Sequence, residues 1–444
     1  MTPYHSDDLV TLLHGDVVET LRQMEPQSVH CVITSPPYWK KRNYHIEGQL
    51  GAEATIEEFV AKLVAVFAEV KRILRDDGLL FLNLGDKRPG SGVHAANHAN
   101  PGLSRAKALD IANIPHRVAQ ALQADGWYWR DTWHWIKRSP MPESVSGTRW
   151  ERHRVKVGKT PKQGEKWSGD GEVLHEAFTR PENLAQYQPC PGCAACTYPD
   201  QPQRNGWVLR RGSWRYTSAV EYVFMFAKQP GYTAFQEQVR EASGWQTGLA
   251  ADFARDTKEE LSPGQRATSH RNGREHTTNT GGRNPRNYGL LSSEPSSEPH
   301  YATFSQALVE PFIRAATSDR GVCATCGAQM VPVIEKGALQ EDPQRQGRTV
   351  RNVGDYDGED YAENGGTLGL VMVSAILDYW PSCACPVLAQ VPATVLDIFV
   401  GSGTTCIAAR RLGRRSIGID LSLDYLDIAK RRLADEKNAQ AEMM

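Results

Sequence analysis

The residues of this chain best suited to chemistry are Ser35, Pro36, Pro37 and Tyr38, which directly follow an apolar stretch at 29–34. Because proline lacks an N–H group and has a fixed φ, the two prolines end a strand and hold the backbone extended. The Ser35 hydroxyl and the Pro36 carbonyl can then accept both N–H bonds of a planar amine, while the Tyr38 ring stacks on its plane. The pattern favours a planar substrate that carries an amino group. The alternative is a structural turn whose aromatic side chains pack in the core.

A second candidate site is the glycine turn at 397–405, with the sequence DIFVGSGTT. Gly401 and Gly403 would let the backbone approach a ligand closely. Asp420 ends the next predicted strand, where a carboxylate can hold a ribose diol. The turn has no P-loop lysine, and by itself it is also typical of a structural turn in an α/β domain.

The elements that must position these motifs alternate between strands and helices. Apolar patterns predict strands at 29–34, 79–84, 127–136 and 220–227 and a helix at 57–75. Near the C-terminus they predict a strand at 395–399, a helix at 406–412, a strand at 416–420 and a helix at 423–433. This last group is a βαβ unit with its glycine turn at the carboxyl end of a strand.

Composition gives a globular chain of more than one domain. The chain has 444 residues, 40% hydrophobic and 23% charged, and a net charge of −1 that by itself indicates no polyanionic partner. No apolar run approaches the roughly 18 residues of a membrane helix, and the N-terminus has no export signal. We therefore expect no membrane partner and a cytoplasmic location, in which the nine cysteines stay reduced or bind metal.

Together these motifs resemble the amino-group DNA methyltransferases, in the permuted β-type class. In that class the SPPY element precedes the recognition region, and the cofactor glycine turn follows it. The segment 14–16 (HGD) resembles the family's adenine-side cofactor motif, and 137–145 resembles the stretch after its sixth strand. The segment 300–304 (HYATF) resembles the HxATFP element, with Ser305 in place of the final proline.

The resemblance implies an α/β, Rossmann-like, S-adenosylmethionine-dependent fold with circularly permuted motif order and an inserted target-recognition region. It implies a catalytic half at 1–147, a DNA-recognition insert at 148–296 and a cofactor-binding half at 297–444, with a candidate zinc ribbon at about 320–386. The implied catalytic residues are Ser35, Pro36, Pro37 and Tyr38. The implied residues for S-adenosyl-L-methionine are Asp16, Thr34, Phe304, Asp397, Phe399, Gly401, Gly403, Thr404 and Asp420.

The implied reaction is methyl transfer to the exocyclic amine of a base flipped out of double-stranded DNA. Serine at position 35 accompanies cytosine N4 methylation more often in this family, so we expect cytosine. Adenine N6 and a catalytically silent DNA-binding protein are the alternatives. The resemblance places the chain at DNA in a bacterial or phage-infected cell. It leaves open whether a cognate restriction endonuclease accompanies it and whether it is a monomer or a homodimer.

Basic residues are concentrated in the predicted insert. Residues 148–167 contain seven Lys or Arg and two Glu, and arginines and tryptophans alternate after position 203. Such clusters can neutralise phosphates, although a solvated charged face is the alternative. The candidate DNA-binding residues are Trp39, Arg149, Arg152, Arg154, Lys156, Arg210, Arg211 and Arg215. For Trp39, packing in the core is an equal alternative.

Seven of the nine cysteines fall into two groups with the spacing of metal ligands. Cys323, Cys326, Cys383 and Cys385 form two close pairs that resemble a structural zinc site. Cys190, Cys193 and Cys196 form a weaker candidate, because their fourth ligand is not evident; His153 and His175 are the nearest histidines upstream. The alternative is a set of free thiols.

Overall fold

The computed structural model describes residues 2–41, 48–87, 110–140, 147–157, 186–212, 214–241, 284–292, 304–341, 370–386 and 389–442. The strands are β1 (His5–Ser6), β2 (Val10–His14), β3 (Val29–Thr34), β4 (Leu74–Leu84), β5 (Tyr128–Lys137), β6 (Arg149–Arg152), β7 (Arg154–Val157), β8 (Gln186–Pro189), β9 (Trp207–Arg210), β10 (Val220–Ala227), β11 (Tyr288–Leu291), β12 (Val322–Cys323), β13 (Met330–Glu341), β14 (Leu370–Pro381), β15 (Gln390–Val391), β16 (Thr394–Asp397) and β17 (Arg415–Asp420). The α-helices are α1 (Val17–Arg22), α2 (Ile56–Ile73), α3 (Ile114–Ala124), α4 (Gln306–Ala316), α5 (Thr404–Arg411) and α6 (Leu423–Glu442).

Nine strands form one sheet in the order β1-β2-β17-β16-β3-β4-β10-β5-β11. The neighbouring strands β2, β17, β16, β3 and β4 run parallel to one another, whereas β10 is antiparallel to both β4 and β5. At the centre, β16 pairs with β3, with Val395 opposite Cys31 and Leu396 opposite Val32. The two ends of the chain therefore supply neighbouring strands of a single sheet.

Helices cover both faces of this sheet. The buried faces of α1, α2 and α3 pack with Leu396 of β16, whereas α4 and α5 pack with the adjacent residue Val395. Neighbouring residues of a strand point to opposite faces, so β16 contributes to both layers. All six residues of β3 are buried, as expected for a central parallel strand covered on both sides. This arrangement confirms the predicted α/β, Rossmann-like fold.

Helix α2 begins and ends close to its predicted bounds of 57–75, but the next strand is longer than predicted. Thr55 and Glu58 form a capping box at the N-terminus of α2. β4 starts at Leu74, not at residue 79, because the chain passes through Gly78 without a turn. A Cβ at Gly78 would lie 2.8 Å from the carbonyl oxygen of His30, so glycine permits this close approach to β3.

The chain divides into a large unit, residues 1–139 and 220–444, and a small unit, Pro140–Ala219. The predicted insert at 148–296 extends too far, because β10 and β11 within it are strands of the large sheet. The small unit contains two two-stranded sheets, β6 with β9 and β7 with β8. No helix among the described residues is long and apolar enough to cross a membrane.

Candidate active site

The two motifs singled out in the sequence meet at one edge of the large sheet. Since β3 and β16 are parallel neighbours, the SPPY element after β3 and the glycine turn after β16 leave from the same edge. Thr34 Oγ1 donates a hydrogen bond to Asp397 Oδ1 at 2.7 Å, and both residues are buried. This bond directly joins two stretches that lie 363 positions apart in the sequence.

Asp397 holds the glycine turn in place. Its Oδ1 also accepts the N–H of Phe399 at 3.1 Å, and its Oδ2 accepts the Thr405 hydroxyl at 2.6 Å. Burial raises the pKa of the Asp397 carboxyl to about 6, although these hydrogen bonds act in the opposite direction. Because both oxygens already accept bonds from this chain, the geometry favours a positioning role for Asp397 over direct cofactor contact.

The two glycines of the turn have different surroundings. Gly401 has φ 50°, and within the described part of the chain a Cβ there would meet only the Phe399 carbonyl oxygen, at 4.0 Å, which leaves open space beside it. Gly403 has φ 84°, and its Cβ would lie 3.0 Å from Cβ of Ala429 in α6. Gly401 therefore leaves room for a ligand, whereas Gly403 permits close packing of the turn against a helix.

Asp420 and Asp16 lie at the same edge, because Asp420 ends β17, the neighbour of β16, and Asp16 follows β2, the next strand along the sheet. The Gly401 N–H donates to Asp420 Oδ2 at 2.9 Å, and burial raises the pKa of the Asp420 carboxyl. Asp420 pairs with His14 across β17 and β2, which brings the 14–16 segment beside it. Asp16 caps α1 by accepting the Val18 N–H at 2.9 Å. Three of the predicted cofactor residues, Asp16, Gly401 and Asp420, thus come from adjacent strand ends.

On the SPPY side, polar contacts orient Tyr38. Its hydroxyl donates to Glu221 Oε2 at 3.0 Å, and Lys137 Nζ lies 2.5 Å from Glu221 Oε1. Burial and the negative charge of Glu221 both raise the pKa of Tyr38, so the phenol is neutral at physiological pH. Asn83 Nδ2 lies 3.4 Å from the Tyr38 hydroxyl and 3.5 Å from Ser35 Oγ. Ser35 itself is partly exposed beside these groups.

Sequence reasoning missed Asn83, Gly85 and Glu221. A Cβ on Gly85 would lie 2.6 Å from the Tyr38 ring, so glycine makes room for that ring. Asn83 and Gly85 could have been found, because they are a polar residue and a glycine at the end of the strand after the SPPY element. Glu221 gives no local signal, since only the pairing of β10 with β4 brings it near.

Trp39 lies in the core of the large unit. Its side chain is 6% exposed and packs in the cluster that contains α2 and α3, and its indole N–H donates to the Glu53 carbonyl at 3.0 Å. Of the two alternatives that the sequence left open, the structure favours core packing. We therefore leave Trp39 out of the proposed DNA-contacting residues.

Phe304 lies beside the carboxyl end of β3. Together with Thr34 and Asn83 it lines a small cleft, whose other walls are apolar side chains of the sheet and of α4. The preceding part of the predicted HxATFP element, residues 300–303, lies outside the described residues. The structure thus brings one aromatic residue of that element next to the predicted reaction edge.

The candidate DNA-binding arginines lie in the small unit. β6 and β9 pair Arg149 with Arg210, and Glu151 forms ion pairs with both. The Arg152 guanidinium lies 4.5 Å from the centre of the Trp207 ring. Arg149, Arg152, Arg154, Arg210 and Arg211 are exposed, and Arg215 is half-buried. Lys156 belongs to β7, but its side chain lies outside the described part of the structure.

Both cysteine groups converge in space. The ligand atoms of Cys323, Cys326, Cys383 and Cys385 all lie within 4.8 Å of one another. The same holds for Cys190, Cys193, Cys196 and His153, so one of the two upstream histidines supplies the fourth position. The other, His175, lies outside the described residues. Cys31 and Cys406 are buried in the large unit, apart from both groups.

A protein-family model matches most of this chain. The family model N6_N4_Mtase, described as DNA methylase, matches residues 29–324 and 389–431, which is more than half of the chain. The chain belongs to this DNA methylase family. The match includes both the SPPY element and the glycine turn, and it confirms the resemblance to the amino-group DNA methyltransferases.

Several curated relatives are similar to parts of this chain. Type II methyltransferase M.XycI of Xanthomonas campestris pv. cyanopsidis is 47% identical over 146 residues, covering 30% of this chain and 49% of that protein. M.Cfr9I of Citrobacter freundii is 39% identical over 177 residues, covering 37% and 58%. M.SmaI of Serratia marcescens is 35% identical over 184 residues, covering 38% and 62%. The chain therefore spans less than two thirds of the length of each of these relatives.

Solved structures give a weaker likeness. The PvuII DNA methyltransferase (cytosine-N4-specific) has a TM-score of 0.45 at 14% identity, with 98% of this chain and 94% of that chain covered. The M1.HpyAVI–SAM complex has a TM-score of 0.38 at 14% identity, with 96% and 99% covered. The assignment to the family rests on the sequence match and not on these scores.

Proposed function

We propose that this protein is a DNA methyltransferase that transfers a methyl group from S-adenosylmethionine to the exocyclic amine of a flipped base. The observation that carries the proposal is the Thr34–Asp397 hydrogen bond of 2.7 Å, which ties the SPPY element to the glycine turn. Group transfer requires the two reactants to meet at one place. A single sheet edge that holds both motifs meets this requirement, and membership of the DNA methylase family supports it.

The residues around the glycine turn fit the cofactor. The open space beside Gly401 would admit a ligand against the backbone. Asp420 and Asp16 supply carboxylates at neighbouring strand ends for a ribose and an adenine, and Phe304 supplies an apolar surface beside Thr34. When bound, S-adenosylmethionine supplies an electrophilic methyl group on its sulfonium. Phe399, Gly403 and Thr404 shape the turn, and Asp397 fixes its position.

Ser35 and Pro36 would activate the amine. The lone pair of a nucleobase amine is delocalised into the ring, so the nitrogen is a poor nucleophile. Acceptance of its two N–H bonds by Ser35 Oγ and the Pro36 carbonyl favours a pyramidal nitrogen with a localised lone pair. Tyr38 would stack on the base, held by Glu221 and Asn83. Positioning of this kind can lower a barrier by roughly 7–11 kcal/mol.

Double-stranded DNA is the proposed partner, and the arginines of the small unit are its proposed contacts. Guanidinium groups on exposed strands can neutralise phosphates and release counterions. Stacking of Arg152 on Trp207 holds one of them in place. The target amine is inaccessible in a duplex, so the base must leave the stack, at a cost of a few kcal/mol.

Cytosine N4 is the proposed target atom, because serine occupies the first position of the SPPY element. In the family that the motifs resemble, serine there accompanies cytosine more often, and aspartate accompanies adenine more often. Either base presents a similar amine to the two acceptors. Adenine N6 is therefore the second candidate, and experiment distinguishes the two directly.

Analysis of methylated nucleosides tests the proposal. Unmethylated plasmid DNA is incubated with the purified chain and S-adenosylmethionine that carries a deuterated methyl group, then digested and analysed by mass spectrometry. The expected product is deuterated N4-methylcytosine. Deuterated N6-methyladenine would overturn the choice of cytosine as the target base. The absence of any methylated base would overturn the proposed methyltransferase activity. Gly401→Val, which fills the space beside the turn, is the control expected to lose transfer.

A further inference from the structure

Two four-residue groups of metal-ligating side chains lie outside the proposed reaction edge. Each brings four ligand atoms within 4.8 Å of one another, one as Cys₃His in the small unit and one as Cys₄ in the large unit. The cysteines are free thiols. A tetrahedral zinc with Zn–S bonds of about 2.3 Å places its ligand atoms about 3.8 Å apart. The Cys193 and Cys196 sulfurs are 3.8 Å apart, and Cys193 Sγ lies 3.5 Å from His153 Nδ1.

Backbone hydrogen bonds preorganise the Cys₃His group. His153 lies between β6 and β7, and its carbonyl accepts the N–H of Cys190 at 2.9 Å. Gly192 has φ 125°, which lets the chain turn between the first two cysteines. The Cys196 N–H donates to the Cys193 carbonyl at 3.0 Å, which closes the second turn. The four side chains therefore converge because the backbone directs them to one point.

The Cys₄ group has a turn of the same kind. Gly327, directly after Cys326, has φ 72° and donates its N–H to the Cys323 carbonyl at 2.8 Å. Cys383 and Cys385 follow β14, whose antiparallel partner β13 begins shortly after Gly327. The base of this hairpin is therefore where the two pairs meet.

We propose that each group binds one structural Zn²⁺ ion. Four protein ligands fill a tetrahedral coordination sphere and leave no position for water or substrate, which is typical of structural zinc. Burying neutral thiols requires no such convergence, since a free cysteine packs as a small apolar residue. Cys31 and Cys406 behave in that way within the large unit.

Each ion would stabilise a different part of the fold. In the small unit it would join the β6–β9 and β7–β8 sheets, because His153 connects β6 to β7 and Cys190 follows β8. In the large unit it would support the amino ends of β3 and β16. There His30 Nε2 lies 2.8 Å from the Gly327 carbonyl, and His30 Nδ1 accepts the N–H of Thr394 at 3.0 Å. This Cys₄ site thus lies at the opposite end of the two strands from the proposed reaction edge.

Zinc content tests the proposal. The full chain is purified without chelators, and its zinc is measured by inductively coupled plasma mass spectrometry against protein concentration. We expect two zinc ions per chain, one in Cys193→Ser, one in Cys383→Ser and none in the double variant. Cys31→Ala and Cys406→Ala are matched controls expected to keep two.

A zinc content of the wild-type chain near zero, also after incubation with zinc salt, would overturn both proposed sites. A content of one zinc ion per chain would overturn one of them. If a serine variant fails to fold, cobalt substitution of the wild-type chain tests whether both metal sites exist. Tetrahedral cobalt bound to thiolates gives intense sulfur-to-metal charge-transfer absorption, and titration to two equivalents is the expected result. Absorption that is absent or saturates at one equivalent would contradict the two-site proposal.

Discussion

The large and small units obtain their geometry in different ways. In the large unit, three buried clusters cover both faces of the sheet, and the register of β3 against β16 sets where the two motifs meet. In the described part of the small unit, Cys196 and Val208 are the only buried hydrophobic residues. Apolar burial can order the first unit but not the second, and units with so little core commonly need disulfides or metal ions.

The proposed chemistry and the proposed DNA contacts are thus divided between the two units. The proposed reaction edge uses backbone positions fixed by buried strands, and the polar contacts of Glu221 and Asn83 then orient Tyr38. Arg149, Arg152, Arg154 and Arg210 lie on short two-stranded sheets, and the zinc ion proposed at His153 and the three cysteines beside it would fix the mutual position of these sheets. Mutations should therefore change stability mainly in the large unit and change DNA binding mainly in the small one.

The largest difference in the effect of a substitution on stability is expected between two tryptophans, one in each unit. Trp39→Ala removes a core side chain and should lower the free energy of unfolding by about 3–5 kcal/mol. Trp214 is 64% exposed, so Trp214→Ala should change the free energy of unfolding by less than about 0.5 kcal/mol. Urea unfolding followed by circular dichroism measures both. Equal effects would contradict the contrast between the two units.

A pH-dependent effect is expected at Asp397 in the large unit. Its pKa is raised in the folded state from 3.8 to about 6, so the folded protein binds the proton more tightly than the unfolded chain. The protonated carboxyl therefore stabilises the fold below about pH 4, and this contribution is lost as the pH rises through about 6. The shift corresponds to about 3 kcal/mol.

Asp397→Asn should remove this dependence. The free energy of unfolding of the wild type minus that of the variant should fall between about pH 4 and pH 7, by up to about 3 kcal/mol. Urea titrations at several pH values measure the difference. A difference that stays constant over this range would mean that the buried carboxyl does not titrate as described.

A smaller effect on stability is expected at the glycine turn. Gly403 and Gly413 both have positive φ, 84° and 70°, so alanine at either position should cost about 1–2 kcal/mol. Gly403 also packs against Ala429, whereas none of the described residues has an atom within 4 Å of a Cβ at Gly413. Gly403→Ala should therefore lower the free energy of unfolding more than Gly413→Ala does. The reverse order in thermal unfolding would argue against packing as the reason for Gly403.

The smallest change in stability is expected for an arginine of the small unit. Arg210 is exposed, so Arg210→Gln should change stability by less than about 0.5 kcal/mol. If Arg210 contacts a phosphate, the slope of log binding constant against log salt should become shallower by about 0.9. Fluorescence anisotropy with duplex DNA at several salt concentrations measures this slope. Arg320→Gln, an exposed arginine of the large unit, is the matched control, and an equal slope for wild type and Arg210→Gln would remove Arg210 from the interface.

The sequence predicted the strands and turns that carry the motifs, because prolines after an apolar run and glycines after a strand have direct conformational meaning. It also predicted both cysteine groups from their spacing. It did not reveal Glu221, which is 183 positions from Tyr38 and reaches it only through strand pairing. The boundary of the insert was wrong because β10 and β11 return to the sheet after the polar segment. Pattern alone could not distinguish a stacking role for Trp39 from core packing.

The central claim is that Ser35 acts on a base at the edge where β3 and β16 meet. Single-turnover methyl transfer to DNA by Ser35→Ala, measured together with binding of S-adenosylmethionine, tests it most directly. Ser6→Ala, at an exposed serine of β1, is the control. We predict that Ser35→Ala lowers the transfer rate by about 100-fold or more, as for the loss of one preorganised hydrogen-bonding group in other enzymes, while cofactor affinity stays nearly unchanged. An unchanged transfer rate, or a matching loss of cofactor affinity, would contradict this role of Ser35.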